Sequence, residues 1–131
     1  MGKYGEAAIR ATQFVTRGKC KSVSEAWNVA AREIFPNKLL AQKKGCPRGA
    51  FLGLCEEGLV SGVPTGMYTK SRDNKRYAVE AVHLLERQPD LAVDHATLWK
   101  KIMKGKDKVE NGQMDVVLTL WSRNLIARNK V

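Results

Sequence analysis

Long apolar runs are missing from this sequence. Its longest stretch without a charged residue, Gly58 to Thr69, contains Pro64 and three glycines, whereas a membrane helix needs about 20 apolar residues in succession. The opening Met1-Gly-Lys-Tyr-Gly-Glu6 lacks the apolar core of a secretory leader, and Glu6 stands where a myristoylation signal carries Ser or Thr. A cytoplasmic location without a membrane partner is the expectation. Cysteine and histidine are also scarce. Cys20, Cys46 and Cys55 are odd in number and unrelated in spacing, as reduced thiols would be. With only His83 and His95 beside them, and no CxxC, HxxxH or HExxH, the chain offers no metal site and implies no cofactor.

Acidic residues are few: 13 Asp and Glu against 23 Lys and Arg leave a net charge of +10. Such an excess speeds encounter with polyanions and leaves the fold undetermined. The charge alternates along the chain, with +7 up to Arg48, −2 from Gly49 to Thr69 and +4 from Lys70 to Lys108. Phosphate-loop signatures are lacking too, since Gly45 to Gly58 matches neither GxxxxGK[ST] nor a GxGxxG that follows a strand. Gly49 and Gly53 lie four apart and predict a close approach by another helix.

Helical periodicity dominates what is present. Tyr4, Ala7, Ala8, Ala11, Phe14 and Val15 share one face of a first helix, stopped by Gly18. Ser22-Val-Ser-Glu25 is a capping box opening a second, which Pro36 closes. Asn37 to Arg48 reads as a connector with at most one helical turn. Pro47 opens a third helix, with Ala50, Phe51, Leu54 and Cys55 inward and Gly58-Leu59 as its glycine cap. Residues 77–87 favour a helix, with a hairpin around 67–82 as the rival. Asp94 caps a short helix bearing Leu98, Trp99, Ile102 and Met103. The last segment, Asn111 to Arg128, is apolar nearly all round, which predicts a buried helix or a contact between chains; a strand over Val116–Trp121 competes. The sum is a mainly α, single-domain bundle of about six helices spanning 1–131, with Phe14, Trp27, Phe51, Leu54, Val82, Leu85, Leu98, Trp121 and Leu125 in its core.

The candidate nucleic-acid contacts are Lys43, Lys44, Arg48, Lys70, Arg72, Lys75 and Arg76, with Lys100, Lys101 and Lys104 on the short helix. Tyr77–Arg87 and Asp94–Lys104 have the layout of a helix-turn-helix with too long a turn. Cys46, in Gly45-Cys-Pro-Arg48, is the one thiol placed for reactivity, at a helix start among cations. No base adjoins it, so a capping or buried thiol is the plainer reading. Gly58 to Thr69 is too apolar for an idle loop and is expected to cover the core or form a binding lip.

Leu54 to Val60 followed by Ser71-Arg-Asp-Asn-Lys-Arg76 and Tyr77-Ala-Val79 resembles the recognition helix and wing of winged-helix regulators over less than a third of the chain. Outward Glu56 and Glu57 would make such a helix acidic, which argues against that docking. Gly45 to Val60, taken with Met1 to Ala8, resembles a family of small uncharacterised bacterial proteins. That resemblance implies no catalytic residues. The resulting expectation is a non-enzymatic basic protein that associates with nucleic acid or acts as a regulatory module. The alternatives are a protein-interaction module or homodimer using Met114, Val117, Leu120 and Trp121, and a thiol enzyme or redox sensor using Cys46.

Overall fold

Local chemistry decides where the helices start and stop. In a computed structural model that describes residues 2–127, they are α1 (Lys3–Thr16), α2 (Val23–Ile34), the single turn α3 (Leu39–Gln42), α4 (Gly45–Glu56), α5 (Arg72–Arg87), α6 (His95–Met103) and α7 (Gln113–Ser122). A 3-10 segment, Pro89–Val93, joins α5 to α6. Ser22 Oγ accepts the Glu25 amide at 3.1 Å, as the capping box requires. Asp94 Oδ1 accepts the Thr97 amide at 3.2 Å and so caps α6. At the end of α4, Gly58 turns left-handed (φ 71°). Its amide reaches Cys55 O and that of Leu59 reaches Leu54 O at 3.0 Å, which satisfies carbonyls the helix leaves open.

Helix α7 lies at the centre and packs on α1, α4 and α5. Met114, Val116, Val117 and Leu120 are wholly buried there, and Trp121 nearly so. The apolar excess of this segment is therefore taken up inside one chain. Each such side chain contributes roughly 1.5–3 kcal/mol by leaving water. Helix α4 is the second central element, buried from Gly49 through Glu56. The α1–α2 pair covers one side of these two helices and α5 another.

Gly49 and Gly53 do what their spacing predicts. A Cβ on Gly53 would stand 2.5 Å from Lys75 Cβ and 2.6 Å from its Cα, and one on Gly49 would stand 2.9 Å from Ser71 Cβ. The start of α5 rests directly on the α4 backbone.

Several expectations need correction. No hairpin forms around 67–82, because 72–87 is continuous helix with Tyr77, Ala78, Ala81, Val82 and Leu85 inward. The segment read as a wing is the start of that helix. Val116–Trp121 is helix and not strand, and α7 ends at Ser122; Arg128, its expected end, lies outside the described residues. Beyond Ser122, Ile126 forms an antiparallel bridge with Val60. Ser61 N donates to Leu125 O at 2.8 Å and Ala127 N to Leu59 O at 2.9 Å. Phe14 and Leu125 are only partly buried at the core's margin. The segment after Gly58 covers the core, with Val60 and Val63 buried. No described helix is long and apolar enough to cross a membrane.

Candidate nucleic-acid interface

Two clefts meet at the start of α4. One, of about 440 Å³, lies between the first turn of α4 and residues 69–74, and Lys44, Arg48 and Lys70 line it with Cys46, Asn74 and Asn111. The other, of about 500 Å³, lies between α2 and the α3–α4 junction, lined by Arg32, Lys43 and Arg48 with Asn28 and Gln42. Gly45 and Arg48 belong to both. No carboxylate lines either cleft. Among the described residues none of Arg32, Lys43, Lys44, Arg48 and Lys70 forms an ion pair.

Neutral groups hold two of these cations in place. Arg48 Nε donates to Asn28 Oδ1 at 3.2 Å. The Lys44 ammonium sits 5.7 Å above the Tyr4 ring, a favourable placement that leaves its charge uncancelled. Lys44 is also the N-cap of α4 and makes no side-chain capping bond. The positive end of the α4 dipole adds to the local potential.

Arg72, Lys75 and Arg76 belong to a different arrangement. Glu56, 8% exposed, lies beneath the start of α5. Its Oε2 accepts Lys75 Nζ at 2.6 Å and Arg72 Nη2 at 3.4 Å, while Oε1 accepts the amides of Tyr68 at 2.8 Å and Thr69 at 2.9 Å. Burial by itself would raise the Glu56 pKa, but the Lys75 ammonium and the two amides outweigh it and hold the carboxyl at about 2. Lys75 also bonds Glu57 at 2.7 Å, and its own pKa is raised by its bonds to the two carboxylates. Arg76 pairs with Asp73 at 3.3 Å. Lys75 and Arg72 fasten α5 and the preceding loop to α4, while the Arg76–Asp73 pair lies within α5.

The lysines of α6 stand apart from both groups. Lys100 lines a separate cleft with Lys106 and Lys108. Lys104 is the left-handed C-cap of α6 (φ 51°), and Lys100 and Lys101 lie in its last turn, where cations favour the helix dipole.

A recognition-helix role for α4 is ruled out by its place in the fold. A helix buried from Gly49 to Glu56 has no face to lay in a groove. Cys46 is partly exposed in the first cleft, and the contact it makes is from Asn111 Nδ2 at 3.8 Å, an amide that accepts no proton. His95 Nε2 lies 3.5 Å from Glu110 Oε1. Sequence reading missed Arg32, which sits on an amphipathic helix and belongs to no run of charge.

These features define a small all-helical protein with a basic, carboxylate-free double cleft over the start of its central helix. The chain belongs to a family of unknown function, DUF6979, whose model matches residues 1–127. No curated protein and no solved structure matches it.

Proposed function

We propose that this is a non-enzymatic protein that associates with nucleic acid through the double cleft, with Lys43, Lys44, Arg48 and Lys70 as the contacts and Arg32 as a fifth. The observation that supports this reading is the division among the cations. Those beside Glu56, Glu57 and Asp73 are neutralised within the chain, whereas those around the start of α4 form no ion pair among the described residues and line clefts that contain no carboxylate. A phosphate backbone repays such charges by releasing its condensed counterions. Lys100, Lys101 and Lys104 are a secondary basic face under this proposal.

The test is fluorescence anisotropy with a labelled pool of duplex and single-stranded nucleic acids over a salt series. Binding whose logarithm falls steeply with log salt, weakened by Lys43→Gln and Lys44→Gln, is expected. Binding that is absent near physiological salt, or that ignores these substitutions, overturns the proposal.

A further inference from the structure

We infer that the double cleft takes double-stranded nucleic acid and grips it by backbone phosphates without reading sequence; this rests on the nucleic-acid reading above. Single strands are held by stacking their bases on exposed aromatic rings, within a basic groove. Among the described residues no Phe, Tyr or Trp side chain is exposed, and the exposed imidazoles of His83 and His95 line neither cleft. No aromatic residue lines either cleft: Tyr68, beside Thr69, is partly buried with its hydroxyl donating to Pro64 O at 2.6 Å, and Tyr4, under Lys44, is already occupied. Its ring packs on Phe35 at 4.7 Å, the Lys44 ammonium covers it at 5.7 Å, and its hydroxyl donates to Ala41 O at 3.1 Å. An unstacked base finds no platform here.

Sequence readout would need a helix or ribbon that enters a groove and presents side chains to base edges. The helix at the clefts is central and buried, and only its first turn reaches the surface. What the surface offers is a set of point charges fixed to separate elements: Arg32 on α2, Lys43 and Lys44 between α3 and α4, Arg48 on α4, and Lys70 ahead of α5. Asn28 holds Arg48 and Tyr4 seats Lys44. Fixed charges suit a regular phosphate array better than a flexible strand, because less ordering is needed on binding.

The deciding experiment uses the whole chain with labelled duplex DNA, duplex RNA, and single-stranded DNA and RNA of the same length, all at one salt concentration. At least one duplex is expected to bind about tenfold or more tightly than its own single strands, and duplexes of shuffled sequence to bind equally. Lys44→Gln and Lys70→Gln should each lower the salt slope by about 1. Arg72→Gln, in the Glu56 cluster, should leave the slope unchanged. Single strands that bind as tightly as duplexes overturn the inference while the broader reading stands, and so does a strong preference for one duplex sequence. Binding to none of the four probes overturns both.

Discussion

The Asp115 carboxylate spans the start of the first helix, with Oδ1 2.9 Å from the Gly2 amide and Oδ2 2.9 Å from that of Gly5. Gly2 as N-cap has no side chain to satisfy the open amides of α1, and a residue of α7 supplies the missing acceptor. Thr119 steadies the same carboxylate with a hydroxyl bond at 3.3 Å. Asp115→Ala should cost about 1–2 kcal/mol, as loss of a helix cap does. In a chain of this size that is a fall in Tm of several degrees. Thermal unfolding followed by circular dichroism measures it, and an unchanged Tm would show that the contact contributes nothing.

Gly53→Ala should be far more damaging than its size suggests. Its methyl would meet the Lys75 backbone at 2.6 Å, so α5 must lift away from α4. Overpacking of this kind costs about 1–3 kcal/mol. Gly45→Ala is the control, because nothing lies within 4 Å of its added Cβ, and it should be neutral or slightly stabilising. Urea midpoints of the two variants separate close packing from helix propensity.

Glu56 gives stability a definite pH dependence. Its carboxyl is lowered from the ordinary 4.5 to about 2 in the folded chain, so the unfolded chain takes up the proton first as pH falls. The contribution is complete above about pH 4.5 and disappears as pH falls toward 2. It is on the order of 1–2 kcal/mol once screening at the solvent-facing Arg72 and Glu57 is allowed for. Glu56→Gln should flatten this part of the pH–stability curve while its remaining carbonyl still accepts the amides of Tyr68 and Thr69. An unaltered curve would show that Glu56 is not the group responsible.

The three thiols should react in order of access. Cys55 is buried, and burial pushes its pKa well up. Cys20 and Cys46 are partly exposed, although burial and then the nearby Glu25 raise the Cys20 pKa. Alkylation of the native protein should modify Cys46 and Cys20, and reach Cys55 only through opening of the fold. Prompt labelling of Cys55 would contradict the packing of α4.

Most of the helical frame could be read from sequence because its signals are local. The Ser22 cap, the Gly58 stop and the three-and-four spacing of α5 each lie within a few residues of what they control. The end of α7 was overrun because its stop is Asn124, a non-glycine residue at φ 62°, and because Leu125 and Ile126 prolong the apolar pattern while serving a pairing with residues 59–61. The basic surface was half legible. Lys43, Lys44, Arg48 and Lys70 converge, yet nothing near Arg72 and Lys75 in sequence shows that Glu56 lies beneath them. Neutralisation depends on contacts 16 and 19 residues apart, which local charge counting cannot see.

The pairing of residues 59–61 with 125–127, and the hold of Asp115 on α1, bear on how the protein is made. During synthesis α1 and α4 emerge long before the segment that covers them. Until α7 leaves the ribosome, both lack the cover it gives one of their faces, and the first helix has no cap for its leading amides. The fold therefore closes only when α7 and residues 125–127 arrive. A ribosome stalled near Lys108 would hold a chain in which α1 and α4 lack that cover, exposed to chaperones and proteases.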